Sequence, residues 1–161
     1  MASRLKKAGA ITAAGVLAVS LVGGFEGLRL RSYPDVVHVW TVCYGETRGV
    51  KPGMTFTKPE CDAKLAAALA VFETGMRACL SQPDAIPDKP YVAFLSLSYN
   101  IGTHAFCGST VARRANAGDL SGACNAISAW NKAGGRAVRG LTLRRAKERE
   151  LCLSGINQGD Q

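Results

Sequence analysis

The chain opens on a polar stretch containing Arg4, Lys6 and Lys7, and then carries no charged residue from Ala8 to Phe25. These 18 uncharged residues are just enough to cross a bilayer core as a helix. Basic residues ahead of them predict an N-terminus kept in the cytoplasm and a following domain pushed outside. Only Ile11, Val16, Leu17, Val19, Leu21, Val22 and Phe25 are strongly apolar; the rest are Ala, Gly, Thr12 and Ser20. The segment is thus a poor anchor. An uncleaved export segment, a cleaved signal peptide and a buried helix of the folded protein all fit the run, although no clear A-x-A site precedes Glu26. Gly23-Gly24 is expected to break it.

From Arg29 to Thr57 the chain is rich in Gly, Pro, Val, Thr, Tyr and Trp, and Val36 to Val42 suits short strands and turns. Thr57 is a good N-cap for a helix beginning Lys58-Pro59, with Glu60 at its third position, running to about Leu80. Pro83, Pro87 and Pro90 mark a loop. Helices are expected over Tyr91 to Ile101 with a stop at Gly102, over Ser109 to Ala117, and over Ser121 to Trp130. Gly134-Gly135 breaks the chain again before a charged helix, Leu141 to Ser154, stopped by Gly155. A helix, a small strand region and then only helices predict an α+β fold with segregated elements, in two lobes joined by the 58–80 helix.

A length of 161 residues predicts one folded domain behind the N-terminal segment, with boundaries at 1–25 and 26–161. The formal net charge of +8 favours polyanionic partners without choosing among nucleic acid, acidic lipid and anionic wall polymer. The six cysteines, Cys43, Cys61, Cys79, Cys107, Cys124 and Cys152, form no CxxC pair, which argues against zinc fingers, iron–sulfur clusters and thioredoxin-type sites. They read as three disulfides formed in an oxidising compartment, in agreement with export. Fifteen pairings are open. Pairing within lobes is expected, as Cys43 with Cys61, Cys79 with Cys107 and Cys124 with Cys152.

The chemistry is sought among the few acids before Thr57, which are Glu26, Asp35 and Glu46. Cleaving a glycosidic bond takes one carboxylic acid to protonate the leaving oxygen and a second carboxylate to act on water or sugar. Glu26 follows an apolar run, and apolar surroundings raise a carboxyl pKa, as a general acid requires. Asp35, in Tyr33-Pro34-Asp35, has the turn context in which a carboxylate stays solvated. His38 and His104 show no metal-ligand spacing, and the glycine pairs are not phosphate loops. No metal or cofactor is implied.

Eight residues separate Glu26 from Asp35 and five separate Asp35 from Thr41, followed by Val42-Cys43-Tyr44-Gly45-Glu46-Thr47. This stretch resembles the catalytic region of the phage-type lysozymes, the T-even-phage lysozyme family of endolysins. The resemblance continues through Ser98 to Gly102, Phe106, Ser109 to Val111, Asn116 to Asp119, Trp130 to Gly135 and Gly140 to Arg145 with Glu148. Two positions depart from the family pattern: Cys43 stands where Gly is common, and Glu46 where His is common. The resemblance implies a lysozyme-like fold with a small antiparallel β region in the N-terminal lobe. It implies an inverting muramidase that hydrolyses peptidoglycan, with Glu26 as general acid, Asp35 positioning or activating water, and Thr41 orienting that water. The two carboxyl groups would face each other across a groove.

Tyr44, Asn100, Trp130 and Arg145 are candidates for contacting the glycan, and the basic run Arg136 to Arg149 for acidic wall polymer or outer-membrane lipid, unless these residues serve packing and a solvated helix face. The N-terminus resembles that of the signal-arrest-release endolysins. That implies a monomer exported to the periplasm of a Gram-negative host, tethered transiently to the inner membrane and inactive while held there, with no nucleic-acid partner. Leucine at Gly9, Ala14 and Gly15 is then expected to hold the protein in the membrane. A related wall lyase or chitinase, and a non-enzymatic wall-binding module, are the alternatives.

Overall fold

In the computed structural model, which describes residues 3–156, the uncharged run is not one helix. Ala8 and Gly9 both have positive φ, 50° and 82°, and turn strand β1 (Lys6–Lys7) back onto β2 (Ala10–Ile11). The helix α1 (Ala13–Glu26) starts only after Thr12, whose side-chain oxygen accepts from the Gly15 N–H. It then runs straight through Gly23-Gly24 rather than breaking there. Packing explains this. The buried face consists of two rows at four-residue spacing, Ala14, Ala18, Val22 and Gly15, Val19, Gly23. Small residues there let neighbours come close: a Cβ on Gly15 would lie 2.3 Å from the Leu5 carbonyl oxygen, and one on Gly23 would lie 3.0 Å from the Tyr44 ring. Such tertiary contacts outweigh the roughly 1 kcal/mol helix cost of a glycine.

Two compact units share the chain: residues 5–70 form one, and residues 71–156 with Ser3 and Arg4 form the other. In the first unit, β3 (Arg29–Pro34) pairs antiparallel with β4 (Trp40–Cys43). The loop after β4 returns alongside β3, through Ser32 N–H to the Met54 carbonyl and Phe56 N–H to the Leu30 carbonyl. Helix α2 (Lys58–Ala78) follows, and its capping box is as expected. The Glu60 carboxylate accepts from the Thr57 N–H at 2.7 Å, and Thr57 Oγ1 accepts from the Glu60 N–H at 3.4 Å. Cys43–Cys61 ties β4 to the first turns of α2.

The second unit is built on α3 (Asp88–Ile101), whose residues from Pro90 to Ser98 are all buried. It begins three residues ahead of expectation because Pro90 falls in its first turn, where a missing N–H costs nothing. Around it lie α4 (Thr103–Cys107), α5 (Thr110–Asn116), α6 (Leu120–Ala126), a 3₁₀ turn at Ile127–Ala129 and α7 (Arg139–Ile156). A small hairpin, β5 (Lys132–Ala133) with β6 (Arg136–Ala137), uses Gly134-Gly135 as its turn, so this lobe is not purely helical. Gly155 does not stop α7; a Cβ there would meet Pro90 at 2.4 Å, so the helix continues because glycine alone fits against α3. Cys79–Cys107 and Cys124–Cys152 both lie in this unit, so all three disulfides pair as expected.

Candidate active site

Glu26 is the last helical residue of α1. Gly27 sets that position: with φ 76° it closes the helix through its N–H to the Gly23 carbonyl at 3.1 Å. The Glu26 side chain is exposed, so the apolar enclosure expected from the preceding residues is not what surrounds it; it continues the row Ala14, Ala18, Val22, but as the last helical residue it lies beyond the part of that face that is covered.

Asp35 opens the turn between β3 and β4. Its Oδ1 accepts from the Val37 N–H at 2.9 Å and the Val39 N–H at 2.8 Å, while its own N–H donates to the Val39 carbonyl. His38 takes a φ of 62° inside this turn, leaving Val36 to Val39 exposed, a turn rather than the strand their composition suits. The carboxyl is thereby fixed by backbone donors on one oxygen. Thr41 pairs with Tyr33 on the adjacent strand and is buried; its hydroxyl donates to the Val39 carbonyl at 3.0 Å, which leaves its oxygen lone pairs as acceptors. Between Arg29 and Tyr33 the register shifts, with four residue steps on β3 opposite two on β4. A bulge of this kind bends the strand and re-aims its side chains, here on the stretch that links Glu26 to Asp35.

The two positions that depart from the family pattern are accommodated in the next turn. Cys43 has a φ of 58°, a conformation that suits glycine, and is held there by the bond to Cys61. Glu46 pairs with Val42 through two backbone bonds of 2.9 Å, and its Oε1 accepts from the N–H groups of Thr47 and Arg48. Hydrogen bonds from the Arg48 guanidinium and backbone hold the Glu46 carboxyl below its usual range despite partial burial. An ion pair thus shapes this turn.

Removing the disulfide should separate these two effects. Loss of an 18-residue cross-link costs about 3 kcal/mol. Glycine at position 43 should recover about 1 kcal/mol of that by relieving the left-handed strain. Cys43→Gly with Cys61→Ala is therefore expected to melt roughly 2–4 °C above Cys43→Ala with Cys61→Ala, as thermal unfolding would report.

Tyr44 is 8% exposed, and its hydroxyl donates to Asp62 Oδ1 at 2.6 Å, while Lys58 pairs with Oδ2 of the same carboxylate at 2.6 Å. Burial pushes the Asp62 carboxyl up, and the Lys58 and Tyr44 hydrogen bonds more than offset it, so it lies below its usual range. These three residues edge a cavity of about 770 Å³ in the first unit, which Ser20 and Gly24 of α1 also line. Lys58 and Asp62 stand four apart on a helix and could have been read as a pair from sequence; their hold on Tyr44 could not.

The remaining candidates lie in the second unit. Asn100 is exposed on the last turn of α3. Trp130 is half-buried and lines a cavity of about 830 Å³ with Thr110, Arg113, Arg114 and Asn125. Arg145 is 1% exposed: its Nη2 donates to Glu148 Oε1 at 3.0 Å, and its Nε lies 2.7 Å from Oε2 without being in line for a hydrogen bond. Burial pushes the Arg145 guanidinium down from the ordinary arginine range. Arg144 and Ser96 bond to the same Glu148. The basic run is therefore not one solvated face, because two of its arginines neutralise a buried carboxylate. Among the described residues no cluster of three or more His, Cys, Asp or Glu side chains could hold a metal ion.

The family model described as Phage lysozyme matches residues 23–148. A protein named SAR-endolysin from Enterobacteria phage P21 is 41% identical over 150 residues, covering 91% of this chain and 90% of its own. A mutant of P22 lysozyme superposes with a TM-score of 0.78 at 32% identity, over 85% of this chain and 95% of its own. The active form of the P1 phage endolysin Lyz superposes with a TM-score of 0.75 at 28% identity, over 90% of this chain and 85% of its own.

Proposed function

We infer the function from one premise: this chain belongs to the phage lysozyme family. It is a glycoside hydrolase, an endolysin that cuts the glycan strands of bacterial peptidoglycan as a muramidase. The observation that carries this reading is that the family match takes in Glu26, Asp35 and Thr41 together with the fold that holds them.

On this reading Glu26, at the end of α1, gives its proton to the glycosidic oxygen as the bond to the anomeric carbon breaks. Asp35, its orientation set by two backbone donors, takes a proton from the water that forms the new bond on the opposite face. Thr41 accepts a hydrogen bond from that water through the lone pairs its own donation to Val39 leaves over. One displacement inverts the anomeric centre. Asp35→Asn retains an oxygen for the Val37 and Val39 donors but removes the base. It is expected to lower turnover of purified peptidoglycan roughly a hundredfold, with little change in thermal unfolding. Activity near wild type would remove Asp35 from the mechanism.

The N-terminal segment exports the chain to the periplasm and tethers it to the inner membrane before release. The relatives named SAR-endolysins support this, as do the basic residues ahead of the run. Among the described residues no helix is long and apolar enough to cross a membrane, and α1 has 14 residues. On this reading the folded arrangement is the released one. Residues 13–26 cannot span a bilayer and at the same time form the α1 that presents Glu26, so the membrane-held form is inactive. The released enzyme acts as a monomer. Fractionation of host cells before and after collapse of the membrane potential tests this: the protein should move from membrane to soluble fraction, and lysis should follow. Protein that is soluble throughout would refute the tether.

A further inference from the structure

Of the basic residues that precede the uncharged run, Lys6 and Lys7 are exposed on the β1–β2 hairpin, whereas Arg4 is enclosed. Its Nη1 donates to the carbonyls of Pro83 at 2.9 Å and Ile86 at 2.6 Å, and its Nη2 pairs with Asp88. The guanidinium stacks 4.3 Å from the centre of the Tyr91 ring. The Arg4 N–H donates to Glu73 Oε1 at 2.7 Å, and Ser3 donates its hydroxyl to Oε2 of the same carboxylate. Glu73 and Tyr91 are almost wholly buried, at 1% and 0%, and Tyr91 donates to Glu73 at 2.7 Å. Behind them Arg77 donates to the Tyr91 oxygen and binds Asp84 through two bonds of 2.8 Å. The 83–87 loop and α3 thus converge on one side chain, while Glu73 of α2 holds the Arg4 backbone N–H and Ser3; a guanidinium is the group that meets two carbonyls, a carboxylate and an aromatic face at once.

We propose that Ser3 and Arg4 are a latch, and that the Glu73–Tyr91–Asp88 socket captures the basic end of the N-terminal segment after it leaves the membrane and keeps it from returning. This rests on the membrane-held reading above. While residues 8–25 span the bilayer, Arg4 stays on the cytoplasmic face, a hydrocarbon thickness of about 30 Å from a socket on the other side. The two states exclude each other. Partial extraction does not close the latch, because Arg4 reaches the socket only when the whole segment has crossed. Once it closes, reinsertion must first break every Arg4 and Ser3 contact and leave a buried Glu73 with fewer donors, which is unfavourable. The residue that orients the segment in the membrane is thereby the one that secures it in the folded enzyme.

Arg4→Lys keeps the charge that orients the segment but loses the planar fork. Asp88→Asn removes the partner from a side chain that is 55% exposed, so folding tolerates it. Lys7→Gln removes an equal charge outside the socket. In host cells treated with an uncoupler, the first two variants should release at least threefold more slowly than wild type, and lysis should begin later. The purified soluble forms should melt roughly 4–8 °C lower. Lys7→Gln should follow wild type. Wild-type release kinetics in both Arg4→Lys and Asp88→Asn overturn the latch, whether or not the melting temperature falls, since lower stability alone would show only a structural contact. Wild-type protein that never enters the membrane fraction overturns the membrane-held reading itself, and the latch with it.

Discussion

Glu26→Gln is expected to lower peptidoglycan hydrolysis at least a thousandfold and leave the fold in place. Glutamine matches the shape of the acid but has no proton to give to a departing sugar oxygen, and general acids contribute about 10²–10⁴ in rate. A thousandfold loss corresponds to about 4 kcal/mol of transition-state stabilisation. The residue sits on an exposed helix end, so the change buries no polar group. Unfolding within a few degrees of wild type, together with an unchanged helical signal, would show that the loss lies in the chemistry. A variant that retained a tenth of the activity would place the acid elsewhere.

Leucine at Ala10 and Ala13 is expected to trap the protein in the membrane and suppress lysis. The fold sets these positions. Substituting Gly15 drives a side chain into the Leu5 carbonyl, Ala14 is 4% exposed, and Gly9 holds a φ of 82°, so leucine at those sites would damage the folded enzyme as well as strengthen the anchor. Lost lysis there would have two causes. Ala10 and Ala13 are exposed in the folded state, and neither lines the cavity edged by Tyr44. Each leucine adds roughly 2–3 kcal/mol of apolar transfer energy to the held state and little strain to the released one. Cells at equal expression should lyse late or not at all, with the variant in the membrane fraction, while detergent-released, refolded variant should hydrolyse peptidoglycan at close to the wild-type rate. Lysis on the wild-type schedule would contradict control by release.

Much of this was legible before the fold was known, for local reasons. Thr57 and Glu60 satisfy each other within one turn, so the start of α2 could be read from their spacing. Gly102 closes α3 at φ 88°, as a glycine at a helix end does. The disulfides match the expectation of pairing within lobes, although the spacing of the six cysteines leaves fifteen pairings open. What escaped depended on distant partners. Gly23 and Gly155 carry the local signal of a helix stop, yet each lies inside a helix because another side chain, Tyr44 or Pro90, needs the space. The turn at Ala8 requires a left-handed alanine, for which the residue type carries no signal. Gly134-Gly135 fits both a plain break and a hairpin turn, and only the pairing of β5 with β6 decides for the turn. At the candidate site, the spacing of Glu26, Asp35 and Thr41 was visible, but the exposure of Glu26 and the burial of Arg145 were not. A residue in line with a buried helix face can still be exposed at the helix end, as Glu26 is, and an arginine in a basic run can be buried when a carboxylate such as Glu148 waits three residues on.

The most direct measurement is the chemistry of the ends that the enzyme creates. Purified peptidoglycan digested with the released wild-type protein, with excess chelator present, should yield soluble fragments that terminate in a reducing N-acetylmuramic acid. One new reducing end should appear per bond cut, and none with Glu26→Gln. Fragments that lack a new reducing end would mean a lyase. Reducing ends that appear equally with Glu26→Gln would mean that hydrolysis does not depend on this acid.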